Sequence, residues 1–299
     1  MAIELEYSIV DVFTSIALAG NPLAVVMDTA GLSSERMQAI AREFNLSETT
    51  FVQRRPAGIE QTEGIRVRIF TTREELPFAG HPTLGTASVL KASAPHSVID
   101  CTITLGLNVG RIPVRFEEQP GATAIFGEMT QRNPEFGPAL DAAEVARLAG
   151  LDRDDLDPAL PPQTVSTGTA FAIVVLRSMD ALARLQVNHG EATPWLRERG
   201  ARWFYVLAPT GAGEPAFRAR MQFEGGEDAA TGSAAGCAIS YLVARGAVSS
   251  DHRILVRQGV EIGRTSDLFL RAKSISANVT DVRVAGSTVL VANGRLFLP

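Results

Sequence analysis

Four side chains in this sequence could carry or hold a proton beside a helix start: Glu48, His81, Asp228 and Ser233. Glu48 stands in Asn45-Leu46-Ser47-Glu48-Thr49, between an apolar helix end and an apolar strand. Such flanks would partly desolvate the carboxylate and raise its pKa, which suits a proton carrier; an exposed loop glutamate is the alternative reading. His81 directly follows Gly80 at a helix start, where the positive backbone end disfavours imidazolium and keeps the ring neutral; the alternative is a structural histidine. Asp228, four residues before Gly232, either caps its loop or hydrogen-bonds a substrate amine. Ser233 is a helix-start hydrogen-bonding residue that can also reach a ligand.

The residue pattern gives no support to metal or nucleotide chemistry. The four histidines, His81, His96, His189 and His252, are scattered, with no His-Glu-x-x-His run, cysteine pair or Walker-type loop. A Gly-x-Ser-x-Gly elbow is missing too, although Thr231-Gly232-Ser233-Ala234-Ala235-Gly236 invites the comparison. The string Gly211-Ala212-Gly213-Glu214 links strand to strand, so it is not a dinucleotide fingerprint. No metal and no bound cofactor are expected.

The elements that must position these residues occur twice. Ile65 to His81 aligns without a gap on Phe217 to Ser233 at a constant offset (232 − 80 = 152), about half the chain, with Arg66/Arg218, Arg68/Arg220, Glu75/Glu227 and Gly80/Gly232 identical. Chance could produce these identities between two strand-loop-helix segments, but both glycines stand where backbone must approach something closely. Each copy reads as an alternating strand, an acidic loop, then a glycine opening an apolar helix. Two similar halves facing each other would bring two helix starts to one cleft, and their unbonded amides at Gly80 and Gly232 would hold an anion.

Elsewhere, Met37, Ile40, Ala41 and Phe44 recur at helical spacing after Ser33 and Ser34, predicting a helix over 34–45 with Asn45 near its end. A strand starts at Thr50, so Glu48 falls in the connection between them. Further helices are expected at 82–92, 141–150, 178–186 and 234–245, and one opening at Thr193-Pro194, where proline's missing N–H costs nothing. Short strands fill much of the remainder, and the Pro-rich stretch 157–162 is the linker candidate. This is an α+β chain with small barrels around central helices rather than a βαβ alternation.

With 299 residues, 45% hydrophobic and 20% charged, the chain is an ordinary globular protein of two domains. Residues 1–122, completed by a C-terminal strand 286–299, are expected to form one lobe and 123–285 the other. Net charge is −5 (28 − 33), which argues against nucleic acid as a partner. No apolar run approaches a membrane span, and Glu4 and Glu6 stand where a signal peptide would be basic, so a cytoplasmic protein is expected. Cys101 and Cys237 are read as reduced core residues.

At these same residues the chain resembles the phenazine-biosynthesis PhzF-like isomerases. The matching strings are Gly20-Asn21-Pro22-Leu23-Ala24-Val25, Ile40 to Thr49, Arg68-Ile69-Phe70-Thr71, Glu75 to Pro82, Glu227 to Gly236, and Gly259 to Arg264, in family order over nearly the whole chain. The resemblance implies the diaminopimelate-epimerase-like fold: two pseudo-symmetric halves, each a β-barrel around a helix, with the site between them, in a homodimer. It assigns Glu48 as the base that removes a proton from one substrate carbon and returns it to another. It aligns His81, Asp228 and Ser233 with the family's other polar site residues, and Ser47, Gly80 and Gly232 with its substrate-binding positions, where amides receive a carboxylate. The founding activity of the family isomerises trans-2,3-dihydro-3-hydroxyanthranilate, a small anionic cyclic substrate, without a cofactor.

Some residues depart from the family pattern. Gln222-Phe223-Glu224-Gly225-Gly226 is a shortened loop, Cys237 stands where proline is frequent, and Val165-Ser166-Thr167-Gly168 looks more like members of unassigned substrate. A PhzF-like isomerase or epimerase of another small acid is therefore the alternative. A two-cysteine racemase on the same fold would need thiols at Ala79 and Thr231. A non-catalytic small-acid binding protein would have no need of Glu48.

Overall fold

A computed structural model describes residues 3–211, 213 and 215–298 of the chain. Readings that touch Met1, Ala2, Ala212, Glu214 or Pro299 lie outside the described residues. The chain divides into two compact units, Met1–Thr130 with Ala285–Pro299, and Gln131–Val284. The Pro-rich stretch 157–162 is not a linker, because it lies inside the second unit. Tyr241 Oη donates to the Pro161 carbonyl (2.6 Å) and Leu140 N to that of Pro162 (2.8 Å), which tie it down.

The first unit contains β1 (Ile3–Val12), β2 (Asn21–Val26), α1 (Ser34–Phe44), β3 (Glu48–Gln53), α2 (Ala57–Glu63), β4 (Ile65–Phe70), β5 (Glu75–Leu76), α3 (Gly80–Ser93), β6 (Thr102–Leu107), β7 (Gly110–Glu117) and β8 (Ile125–Thr130). The second contains β9 (Glu135–Ala139), α4 (Ala142–Ala149), β10 (Gln163–Ser166), β11 (Ala170–Val175), α5 (Met179–Arg184), α6 (His189–Glu198), β12 (Trp203–Pro209), β13 (Phe217–Arg220), β14 (Gln222–Phe223), β15 (Gly226–Glu227), α7 (Gly232–Ala244), β16 (Ile254–Gln258) and β17 (Ser266–Ile275). A 21-residue strand, β18 (Asn278–Leu298), serves both. The strand expected over 286–299 is the second half of this longer one; it pairs with β1 from Thr288 to Leu298, with a bulge at Ile9/Val10.

In the first unit the strands run β1-β2-β3-β4-β6-β7-β8-β18, and β18 closes back on β1, making an eight-stranded barrel. Helix α3 touches β1, β2, β3, β6, β7 and β8, and every residue from Gly80 to Leu90 is buried. A helix enclosed this way must satisfy its own polar side chains. Thr83 and Ser88 donate back to the carbonyls of Ala79 (2.7 Å) and Leu84 (2.9 Å), and Thr86 meets Thr50 of β3 at 2.8 Å. Gly85 lets the strands close in: a methyl there would lie 2.6 Å from Leu23 Cδ2 and 2.7 Å from Val12 Cγ2.

The second unit repeats the pattern. Its ladder runs β10-β11-β12-β13-β16-β17-β18, with β9 outside β10, and α7 touches β10, β11 and β17. Residues Gly232 to Val243 are all buried. Pairings alternate in the same sense in both units: β2–β3 and β11–β12 parallel, β3–β4 and β12–β13 antiparallel, β4–β6 and β13–β16 parallel. The repeat seen in the sequence is thus a repeat of topology.

Its conserved charges make the same device twice. Arg68 grips Glu75 through Nε–Oε1 (2.8 Å) and Nη2–Oε2 (2.5 Å), and Arg220 grips Glu227 through the equivalent atoms at 2.9 and 2.7 Å. Each clamp ties a strand to the acidic turn that leads into the buried helix, with the planar guanidinium matching the carboxylate in two places. Arg220 also donates to the carbonyls of Leu182 (3.0 Å) and Ala183 (3.2 Å) near the end of α5.

Several elements differ from the sequence reading. Helix α2 has no buried residue and hence no apolar stripe to announce it. Helix α6 starts at His189, earlier than Pro194 suggests, and holds that proline inside it. Cys101 is exposed rather than in the core, in the turn before β6, where Asp100 and Cys101 both adopt left-handed backbone (φ 48° and 59°); Cys237 is buried. No helix among the described residues is long and apolar enough to cross a membrane.

The two clamps differ in burial, with side-chain exposures of 17% and 26% for Arg68 and Glu75 but 10% and 7% for Arg220 and Glu227. Removing one partner of a buried pair strands the other charge, at roughly 3–5 kcal/mol, whereas exposed pairs are worth about 1 kcal/mol or less. We expect Arg220→Met to cost on the order of 3 kcal/mol and Arg68→Met clearly less. Urea unfolding of the two variants checks the order; equal losses would refute it.

Candidate active site

Glu48 is positioned by what precedes it. Ser33 caps α1 by accepting from Arg36 N (3.3 Å), and Asn45 ends it in the left-handed conformation (φ 51°), turning the chain through Leu46 and Ser47 into β3. Glu48 is therefore the first residue of β3 rather than part of a connection, opposite Leu23 in the parallel β2–β3 ladder. Its side chain is 15% exposed, so it does not stand in bulk solvent. Ser47 is exposed in the turn.

His81, in the first turn of α3, is buried beside it, with Nε2 3.4 Å from Glu48 Oε2. The opposite edge of the ring is held by the start of β2, where Asn21 Nδ2 lies 3.1 Å from His81 Nδ1. Burial depresses the imidazole pKa to about 3, so the ring is neutral at ordinary pH. The sequence reading of a neutral ring holds, but desolvation rather than the helix end is the leading cause. A largely buried carboxyl group beside a neutral imidazole is placed to take up and return a proton.

Helices α3 and α7 share one further property. Their N-cap residues, Ala79 and Thr231, provide no side-chain cap. Gly80 and Gly232 are the first residues of two buried helices, where uncapped amides and the dipole favour an anion.

In the second unit Asp228 and Ser233 are both largely buried. Asp228 Oδ2 accepts from Thr231 Oγ1 at 2.7 Å, and no hydrogen bond engages the Ser233 hydroxyl among the described residues. Gln131 supports the start of α7, donating to the Gly232 carbonyl (2.8 Å) and accepting from Thr167 (2.7 Å). Gly236 makes room for it: a methyl there would lie 2.0 Å from Gln131 Oε1. Cys237, whose thiol is pushed up to about 11 by burial, sits against Thr167 Oγ1 at 3.5 Å and is no thiolate base.

The first unit therefore joins Glu48, His81 and Gly80, and the second joins Asp228, Gly232 and Ser233. Asn21 and Gln131 escaped the sequence reading as site-supporting residues, and Thr167 was marked there only as part of a string that departs from the family pattern. Asn21 stands in a family-matching string but its contact with the His81 ring could not be read from it, and a glutamine carries no pattern that reveals a buried partner.

The model of a family described as "Phenazine biosynthesis-like protein" matches residues 10–294. The trans-2,3-dihydro-3-hydroxyanthranilate isomerase of Pseudomonas aeruginosa is 37% identical over 299 residues, covering 98% of this chain and 99% of that protein. Among solved structures, a predicted epimerase from Pseudomonas aeruginosa superposes with a TM-score of 0.82 at 32% identity, covering 98% of this chain and 99% of that one. A phenazine biosynthesis protein of the PhzF family from Bacillus anthracis gives 0.83 at 26%, with the same coverage.

The buried neutral His81 makes stability pH-dependent. Its folded pKa lies below the unfolded value, so the unfolded chain binds a proton that the folded protein refuses, and stability falls as pH drops from about 6.5 towards about 3. His81→Gln should remove up to about 1.4 kcal/mol of acid sensitivity per pH unit in that window. Urea unfolding free energies of both proteins between pH 6 and 4 test this; parallel pH dependences would show that His81 protonates within the fold.

Proposed function

The chain belongs to the phenazine-biosynthesis-like PhzC-PhzF family and is an isomerase, and from that premise we propose that it moves a proton between carbons of a small cyclic amino-hydroxy acid, trans-2,3-dihydro-3-hydroxyanthranilate or a near relative. The reading rests on one observation above all: a half-buried Glu48 carboxyl 3.4 Å from a neutral, buried His81 at the uncapped start of α3. Identity of 37% over nearly the full length supports this substrate class.

In this reading Glu48 takes a proton from one substrate carbon as carboxylate and gives it to another as carboxylic acid, so one group returns to its starting state each turnover. A placed acid–base group of this kind supplies roughly 10²–10⁴ in rate, with orientation supplying more. His81 stays neutral, and Asn21 holds its ring on Glu48. The amides at Gly80 and at Gly232 receive anionic oxygens, Ser47 and Ser233 offer hydroxyls, and Asp228 accepts from the substrate amine. The reaction needs no electron acceptor, so no cofactor enters. The net charge of −5 disfavours polyanionic partners, and we expect a cytoplasmic homodimer.

Glu48→Gln should reduce incorporation of solvent deuterium into dihydro-hydroxyanthranilate by at least about 10²-fold while leaving its binding nearly unchanged. Proton NMR in heavy water reads the exchange, and calorimetry the binding. Wild-type exchange in this variant would end the mechanism.

A further inference from the structure

Behind Asp228 lies a hydrogen-bond set whose directions follow from obligate partners. The Thr231 backbone N–H can only donate, and it meets Gln258 Oε1 at 3.1 Å. The Asp228 backbone carbonyl can only accept, and it meets Gln258 Nε2 at 2.9 Å. Together they fix which end of the amide is oxygen. The second Nε2 hydrogen points to Thr231 Oγ1 at 2.9 Å, and Tyr205 Oη donates to Oε1 at 3.2 Å, which completes the bonding capacity of the amide. Thr231 Oγ1 thus accepts from Gln258, and its single proton is left for Asp228 Oδ2 at 2.7 Å. Gln258 and Tyr205 are fully buried.

Fold maintenance alone does not explain this set. At the repeat offset Asp228 and Thr231 correspond to Leu76 and Ala79, and by its strand register Gln258 corresponds to Leu107, and these side chains can form no such bonds. Both units carry the Arg–Glu clamp and the buried helix, yet only the second carries the relay. The same hydroxyl occupies the position where a two-cysteine racemase needs a thiol, and both its lone pair and its proton are already engaged.

We propose that Thr231, oriented by Gln258, is a positioning residue that keeps Asp228 an ionised, acceptor-only carboxylate, able to receive a substrate N–H but not to give a proton. This deepens the proposed function and rests on its placing Asp228 against substrate. It divides labour between two carboxyl groups: Glu48 changes protonation during turnover, and Asp228 does not. A hydrogen bond donated to the charged form is the physical means. Tyr205 is driven upward by burial first and then by the Asp228 charge, Cys237 is pushed up to about 11, and Glu227 is held by Arg220.

The test needs no substrate, so its failure is distinguishable from failure of the isomerase reading. Carbon-13 NMR of protein labelled at aspartate carboxyls, with the Asp228 signal identified through Asp228→Asn, follows its titration directly. In Thr231→Val the midpoint should move to higher pH, in Thr231→Ser it should stay at the wild-type position, and in Gln258→Met it should rise by less than in Thr231→Val. Near-ultraviolet circular dichroism establishes that each variant is folded, and Thr231→Ala replaces Thr231→Val if the valine does not pack. An Asp228 midpoint unmoved in the folded valine or alanine variant, or moved equally by serine, would overturn the proposal.

Discussion

Enclosing a helix in a sheet on every side removes water from it, and that constraint governs the rest of this molecule. Within α3 the hydroxyls of Thr83 and Ser88 turn back to their own helix's carbonyls, and those of Ser88 and Thr86 also meet Thr288 and Thr50 on the surrounding strands. The first turns of α3 and α7, however, receive no capping bond from the side chains of Ala79 and Thr231.

The repeated Arg–Glu clamps follow from the same constraint. A turn that delivers the chain into a buried helix has to be held at a fixed place, and a bidentate guanidinium–carboxylate pair holds it without adding apolar bulk. The units then diverge around a shared frame. In the first, a neutral imidazole and a carboxyl group meet; in the second, a saturated glutamine amide and a threonine hydroxyl constrain an aspartate. Two carboxyl groups in unlike surroundings are suited to unlike work.

Much of this was visible along the chain wherever local rules decide. Helix α1 is marked by Ser33 as cap, by the spacing of Met37, Ile40 and Ala41, and by Asn45 as a left-handed stop, all of which the structure contains. The Arg68/Arg220 and Glu75/Glu227 identities showed the repeat before any coordinate did. Elements without a periodic stripe were hidden: α2 buries nothing, α6 runs through Pro194, and β18 crosses its own glycines without a break.

The sequence by itself determined the kind of chemistry, because a family-ordered set of short strings and a single glutamate between apolar segments are statements about residue type. Only tertiary structure decided the states of those groups. Burial, more than the helix end, sets the charge of His81; Asn21, remote in sequence, holds its ring; and Gln258, thirty residues from Asp228, directs the proton that Thr231 offers it. Desolvation and hydrogen-bond direction depend on every neighbour in three dimensions, and no local pattern encodes them.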